Sequence, residues 1–428
     1  MNFLDVVLIF FLVLVMLNYC VHRSVLYPPF IFCSMWLFDL VVLRSGIIEV
    51  DPVHNNTLAI VAAGAASFSA GGLLARLTPR KLFRIDLFPS ESKERPIFFR
   101  NLILIILLCG LPILIHETLR LGQLGGGSGF NLLAQARVAL NEAADNGESQ
   151  SFVMNWFTWI AILSSMLLAT EKRDLRFWTV AVIALIGCIV STGRTNLLLL
   201  IAGLSAIHLL QTNRESLFNA MRLLRWPIAL FVMLYIALIF TNKNTEEMSG
   251  GIADIALYFV FSYIAGPLAA FDRVVQHPAD FMRTTSHTFQ FPLHLAAALH
   301  LTSFTAPPKL DSFVFVPFPT NVYTVFKFYF LELGIAGTVL VLFLIGLFHS
   351  LLYLKAKEGG RMSLYLFGVF IYSVLMVIFD DNYYNIGEHL RVIAFGLFYF
   401  RIGSIPFRLF PATKVRRIDN PRLESSGV

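Results

Sequence analysis

The chain has 428 residues, of which 57% are hydrophobic and only 14% are charged, and its mean hydropathy is +0.71. Soluble domains are usually about 25% charged, so this composition excludes a soluble globular protein and predicts a polytopic membrane protein. The formal net charge of +6 is small and dispersed along the chain, which argues against a nucleic-acid partner.

Apolar runs predict an all-α fold with a single membrane domain over 1–428. A transmembrane helix needs about 20 predominantly apolar residues. Eleven candidate spans follow in chain order, at 3–21, 25–43, 57–75, 97–115, 152–170, 177–192, 195–210, 226–241, 333–354, 363–379 and 390–408.

The basic residues alternate between the predicted loops. Twenty-two of the 33 Lys and Arg residues fall in every other loop and in the basic tail 409–428, whereas nine fall in the opposite loops. Cytoplasmic loops carry the excess of Lys and Arg. The tail and the C-terminus are therefore predicted to be cytoplasmic, and the N-terminus is predicted to lie outside.

Two of the predicted outer loops are long, at 116–151 and 242–320. Within the second, 252–271 and 289–304 are apolar and contain prolines. We expect interfacial or re-entrant helices there, because tyrosine and proline suit the headgroup zone. A pair of true spans would also preserve the charge alternation and is the alternative. No internal repeat is visible, which weakens a transporter interpretation.

Two arginines in the outer segments are candidates for binding phosphate. Arg194 lies in a tight turn next to Gly193, and Arg137 lies on an amphipathic helix predicted over 132–140. A fixed guanidinium presents a bidentate fork that suits phosphate. The alternatives are a snorkelling arginine at 194 and an ordinary solvated charge at 137.

Polar residues in the second long outer loop supply further candidates. Tyr263 lies within the apolar segment 252–271 and Arg273 follows it, and anchoring at the membrane interface is the alternative for both. Asn321 and Tyr323 lead towards Glu332, a carboxylate with apolar flanks. Such a carboxylate is suited to act as a base or an acid. Its alternative is favourable placement in the first turn of a helix.

The outer turn near 380 collects acidic and basic side chains. Asp381 is preceded by a second aspartate, and His389 and Arg391 follow the turn. Paired carboxylates can bind a divalent cation, but no further ligand cluster accompanies them. We therefore predict no metal site, and no other cofactor.

Several short motifs point to one family. They are the Gly193-Arg194-Thr195 turn, Arg137 followed by Gly147, Tyr-x-x-Gly-Pro-Leu at 263–268, and Thr-Asn-Val-Tyr-Thr at 320–324 with Glu332-Leu333-Gly334 downstream. Together they resemble the bacterial oligosaccharide repeat-unit polymerases, the Wzy type that builds O-antigen. One departure is that the family pattern has Asp-Phe-Gly where this chain has Glu332-Leu333-Gly334.

The resemblance implies a glycosyltransferase with a GT-C-like architecture in the bacterial cytoplasmic (inner) membrane. Such an enzyme joins repeat units carried on undecaprenyl pyrophosphate at the periplasmic face and works beside a Wzz-type chain-length regulator. Its site would use Arg137, Arg194, Arg273 and Arg391 for pyrophosphate, Tyr263, Asn321 and Tyr323 for substrate, and Glu332, His389 or Asp381, in that order, as the base. The alternatives are an O-antigen ligase that transfers glycan to lipid A core and a polysaccharide-precursor transporter or flippase.

On this hypothesis, Arg194→Ala is expected to abolish polymer formation from a lipid-linked repeat unit, because the pyrophosphate loses a fixed cation. Expression and membrane insertion should be unchanged. Arg194→Lys should also fail if bidentate geometry matters more than charge. Electrophoresis of the glycan products measures both variants, and full activity of the alanine variant would remove Arg194 from the site.

Overall fold

The computed structural model describes residues 2–78, 97–127, 132–133, 135–136, 138–139, 152–171, 173–191, 194–242, 252–283, 285–305, 311–383 and 386–402. Over these residues the fold is helical, as predicted. The strands found there are the two-residue β1 (Val314–Phe315) and β2 (Pro319–Thr320), which pair antiparallel. Arg137 and the tail 409–428 lie outside the described residues.

The helices account for most of the described chain. In chain order they are α1 (Phe3–His22), α2 (Pro28–Ser45), α3 (Asn55–Leu77), α4 (Ile97–Leu124), α5 (Phe152–Ala169), α6 (Leu175–Val190), α7 (Arg194–Gln211), α8 (Leu217–Asn242), α9 (Ile252–Gln276), α10 (Gln290–Ala298), α11 (Phe326–Lys357), α12 (Arg361–Leu375) and α13 (Ile386–Leu397). A 3-10 turn covers Pro278–Phe281, and a π-helical turn, Phe398–Ile402, follows α13. The described residues between 132 and 139 are also helical.

Among the described residues, five helices are long and apolar enough to cross a bilayer. They are α1, α2, α3, α4 and α11, and shorter apolar helices are present within α5, α6, α7 and α12. The protein is therefore a helical, membrane-embedded protein.

Two helices are longer than the apolar runs that predicted them. Helix α4 continues to Leu124 instead of ending at 115, and α8 begins at Leu217 instead of 226. The extra turn of α4 carries an ion pair between Arg120 and Glu117, 2.8 Å apart and one helical turn from each other. Polar residues continue a helix beyond the part that contacts lipid, so hydropathy alone underestimates its length. The first of the two long loops that were predicted to be outer consequently starts after α4 and not at 116.

The second of the two long loops that were predicted to be outer contains two helices of different lengths. Helix α9 is continuous through Pro267, and its residues 265–271 are buried. Helix α10 has nine residues, or about 14 Å at 1.5 Å per residue. The hydrocarbon core is about 30 Å thick. The alternative in which 252–271 and 289–304 form a pair of spans therefore fails at its second member.

Buried Glu215 joins three of the basic loops. Its carboxylate accepts hydrogen bonds from the hydroxyls of Ser24 and Tyr353, and it pairs with Lys357 Nζ at 2.9 Å. These contacts bring together the α1–α2 turn, the α7–α8 turn and the C-terminal end of α11. We call this side of the helix bundle the basic end.

Further ion pairs add the remaining described loops to the basic end. Arg100, near the start of α4, pairs with Asp174 at 2.8 Å and lies 3.7 Å from buried Glu171. Arg361, at the start of α12, lies 3.9 Å from the same glutamate. The described loops that carry the predicted cytoplasmic charges thus meet on one side of the molecule.

Helices α3 and α11 cross at a point where neither has a side chain. A Cβ added to Gly71 would lie 2.1 Å from the carbonyl oxygen of Phe343, and one added to Gly346 would lie 2.2 Å from that of Phe68. Small residues let membrane helices approach this closely, which increases van der Waals packing between them. This crossing fixes the position of α11 against α3.

Gly71→Ala is expected to lower the free energy of unfolding by about 1–3 kcal/mol, because the added methyl group forces two backbones apart. Gly187→Ala is the matched control, since its Cβ would come no closer than 3.3 Å to its neighbour Thr158. Thermal unfolding of the detergent-solubilised protein measures both variants. Equal loss in the two would contradict the close crossing.

Candidate functional site

A buried ion group lies at the opposite end of the bundle. The Lys327 side chain is only 2% exposed, and its Nζ lies 2.8 Å from Asp311 Oδ2. Arg283 pairs with the other oxygen of the same carboxylate. One carboxylate is therefore shared by two cations, and the three side chains together keep an excess positive charge. We call these three residues the Lys327 group.

Aromatic rings enclose the Lys327 group. Lys327 Nζ lies 3.4 Å from the ring centroid of Tyr323, whose hydroxyl donates to the Ser312 carbonyl at 3.0 Å. The Arg283 guanidinium lies 5.7 Å from the Phe328 ring. Ring faces attract cations most strongly where water is excluded. The rings thus help to hold two cations in a largely dry position.

The His287 imidazole packs beside the aromatic rings that enclose the Lys327 group. It stacks on Phe328 with the ring centroids 3.6 Å apart. Burial, reinforced by the charges of Arg283 and Lys327, lowers the pKa of His287 to about 3. The ring therefore carries no charge near pH 7.

Asp381 is a second buried carboxylate at this end. It lies in the turn after α12 and is 1% exposed. Its Oδ1 accepts hydrogen bonds from the Tyr329 hydroxyl at 3.1 Å and from the Tyr383 N–H at 2.9 Å. Among the described residues no donor reaches Oδ2.

Opposing effects set the pKa of Asp381. Burial raises the pKa of the carboxyl above its ordinary value, and the nearby charge of Glu332 raises it further, against the lowering effect of the hydrogen bonds from Tyr383 and Tyr329. A carboxyl with a raised pKa exchanges its proton nearer to neutral pH, as a general base or acid requires. Tyr329, which donates to Asp381, lies two residues from Lys327 on α11, and the Val325 N–H before α11 donates to the Val377 carbonyl at 3.0 Å, so the start of α11 holds this turn near the Lys327 group.

Both carboxylate oxygens of Glu332 accept hydrogen bonds from one loop. Its Oε1 accepts the His287 N–H at 2.6 Å, and its Oε2 accepts the Ser286 hydroxyl at 2.7 Å and the Thr288 N–H at 3.1 Å. Glu332 ends the short first part of α11, because Gly334 has φ 67° and interrupts the helix. The residue thus ties the 286–288 loop to α11.

Two of the predicted cations bind other partners. Arg273 pairs with Asp51 at 2.6 Å. Its neighbour Asp272 accepts the His54 N–H and the Thr57 hydroxyl and so caps α3. The Arg391 guanidinium lies 4.9 Å from the Trp156 ring. The structure does not bring either arginine into the ion pairs of the Lys327 group.

The other predicted residues have varied surroundings. The Tyr263 ring packs against Phe379, with centroids 5.5 Å apart, and His389 stacks on Phe370 at 5.0 Å. Asn321 is half-buried just after β2. Arg194 is the first residue of α7, and its side chain lies outside the described residues. Among the predicted residues whose side chains the structure describes, Tyr323, Glu332 and Asp381 are the members brought together around the start of α11.

Sequence reasoning did not single out Asp311, Arg283 or Lys327. The two cations were counted only as part of the outer basic set. Lys327 carried a usable signal, because it stands among the aromatic residues of the Phe-Lys-Phe-Tyr-Phe run at 326–330, where an unpaired charge is costly. Asp311 carried none, since its role comes from folding.

Comparisons with known proteins give no match: neither a protein-family model, nor a curated protein, nor a solved structure is significantly similar to this chain. Within the described residues, no group of three His, Cys, Asp or Glu side chains is arranged to hold a metal ion. The chemistry of the site itself is therefore the guide to function.

Asp311→Asn is expected to destabilise the protein by about 3–5 kcal/mol, because it leaves buried Lys327 without its counter-charge. Lys327→Met should cost less, since Asp311 keeps Arg283. The two losses should not add in the double variant, because the side chains are in contact.

Thermal unfolding in detergent measures this cycle. Arg44→Gln is the control, because Arg44 pairs with Asp5 on the surface and its side chain is 54% exposed, so no measurable change is expected. An Asp311→Asn variant as stable as this control would contradict the buried pair.

Proposed function

We propose that the protein is a lipid-linked oligosaccharide polymerase, a glycosyltransferase with about eleven spans and a GT-C-like architecture. It would join repeat units carried on undecaprenyl pyrophosphate at the periplasmic face of the bacterial inner membrane, with the basic end in the cytoplasm. One observation carries the proposal. The same end of the bundle holds a buried carboxyl with a raised pKa, Asp381, and a group with excess positive charge around Lys327.

Glycosyl transfer from such a donor needs a base and fixed cations. An acceptor hydroxyl oxygen forms a bond to the anomeric carbon of the donor sugar while the bond from that carbon to the pyrophosphate oxygen breaks. The electron pair of the broken bond stays on the pyrophosphate, and the hydroxyl proton goes to the base. Fixed positive charges aimed at the leaving group lower the barrier.

Asp381 is the best-placed base among the three predicted candidates. Its Oδ2 has no donor among the described residues, whereas both oxygens of Glu332 already accept hydrogen bonds. His389 is stacked on an aromatic ring. This order differs from the one proposed from the sequence, in which Glu332 came first.

Arg283 and Lys327 are the cations that the geometry favours for the pyrophosphate. The two cations share one carboxylate, Asp311, which neutralises only one of their two positive charges. The remaining positive charge can attract an anion. Arg194 remains a further candidate. Helix α7 packs against α12, the helix that precedes the Asp381 turn.

If Asp381 is the base, Asp381→Asn should reduce polymer formation by about 10²–10⁴-fold, the usual contribution of a general base. The wild-type rate should fall as the pH drops through the raised pKa, because only the ionised carboxylate accepts a proton. That fall should come at a higher pH than for an ordinary aspartate, whose pKa is about 4.

Glu332→Gln is the comparison variant. It weakens the anchoring of the 286–288 loop and should lower thermal stability. Because the charge of Glu332 helps to raise the pKa of Asp381, the fall in rate should remain in this variant but move to lower pH. Initial rates of product formation across pH measure both variants. Loss of the fall in rate in Glu332→Gln, together with unchanged activity in Asp381→Asn, would exchange the two roles.

Purified protein supplied with one lipid-linked repeat unit tests the activity itself. A polymerase should give a ladder of products without any lipid A acceptor. An O-antigen ligase should give no ladder under these conditions, and a transporter or flippase should move the substrate without forming a glycosidic bond. Mass spectrometry of the lipid-linked products separates the three, and absence of a ladder would overturn the proposal.

A further inference from the structure

A cavity at the basic end is lined by three arginines. It has a volume of about 530 Å³ and is bordered by Arg214, Arg222 and Arg225 together with Asn219 and Leu223. Pockets that hold small ligands measure about 300–1,000 Å³. The cavity therefore has room for one polar headgroup.

The positive charge of this cavity is not neutralised by the described residues around it. No described carboxylate forms an ion pair with Arg214, Arg222 or Arg225. The nearest acidic residue in sequence, Glu215, is already engaged with Ser24, Tyr353 and Lys357. Three guanidiniums around one cavity select an anion, and their fork geometry matches the oxygens of a phosphate.

The first turns of α8 place this cavity beside an apolar, exposed surface. Trp226, Phe218 and Met221 are 71%, 76% and 65% exposed. The Arg225 guanidinium lies 5.4 Å from the Trp226 ring. Tryptophan is enriched at the level of the lipid headgroups, and arginine beside it meets the lipid phosphates. The surface next to the cavity is therefore suited to acyl chains and not to bulk water.

We infer that the Arg214–Arg222–Arg225 cavity binds the headgroup of an anionic phospholipid, whose acyl chains lie along Phe218, Met221 and Trp226. The site is distinct from the proposed reaction centre. The cavity adjoins Glu215 at the basic end, whereas Lys327 and Asp381 lie at the other end of the bundle. The anion held in this cavity is thus a membrane lipid and not the donor pyrophosphate.

The test uses the full-length protein purified in a neutral detergent. Phosphatidylglycerol, phosphatidylcholine and soluble glycerol 3-phosphate are added separately, and native mass spectrometry counts the retained lipids while thermal unfolding follows stabilisation. Phosphatidylglycerol should be retained and should raise the melting temperature. Phosphatidylcholine and glycerol 3-phosphate should do neither, because the first lacks net charge and the second lacks acyl chains.

A double variant, Arg222→Gln with Arg225→Gln, should bind phosphatidylglycerol at least about tenfold more weakly, which corresponds to about 1.4 kcal/mol. The matched control, Arg76→Gln with Lys355→Gln, removes the same charge from the basic end outside the cavity and should keep wild-type affinity. Arg222→Gln alone gives an intermediate case if the double variant is poorly expressed.

Three results would overturn the inference. Equal weakening in the cavity and control variants would mean a diffuse charge effect. Equal stabilisation by phosphatidylcholine would mean that charge is irrelevant. Stabilisation by glycerol 3-phosphate alone would mean a site for a soluble phosphate.

Discussion

The crossing of α3 and α11 holds the two ends of the molecule in register. Because Gly71 and Gly346 let the backbones touch, α11 cannot slide along α3 without losing this contact. Lys357, at the C-terminal end of α11, pairs with Glu215. Lys327, at the N-terminal end of the same helix, belongs to the Lys327 group at the other end of the bundle. Helix α3 is held in turn by Asp272 of α9. One tight crossing thus positions both charged regions.

The two ends of the helix bundle differ in how their buried carboxylates are paired. At the basic end, two hydroxyls and a lysine bond to the Glu215 carboxylate, so this residue connects the loops. At the other end, Asp311 is divided between two cations, and Asp381 keeps one oxygen without a described donor. A fully satisfied network gives rigidity, whereas a site for chemistry must leave some groups available. The contrast is the physical reason for proposing a reaction site at the end opposite the basic end.

The sequence predicted helices well and side-chain partners poorly. Each predicted span overlaps an observed helix, because long apolar runs have few alternatives in a bilayer. The ends of α4 and α8 were misplaced, since Glu117–Arg120 and Arg222–Arg225 extend helices that hydropathy treats as loops. The pairing of Asp311 with Lys327 and Arg283 was not predictable, because it joins separate segments only after folding. Glu332 remains a predicted site residue, and both of its oxygens accept hydrogen bonds from the 286–288 loop, contacts that the sequence did not predict.

Gly334 divides α11 into unequal parts, a short arm over 326–333 and a long membrane segment. The arm is about 12 Å long at 1.5 Å per residue, and it carries Lys327, Tyr329 and Glu332. A rotation of about 10° at the glycine would displace the far end of this arm by about 2 Å, which is enough to break or make a hydrogen bond. The α3–α11 crossing therefore places the arm in the bundle, and the backbone at Gly334 sets the angle at which the arm leaves the long segment.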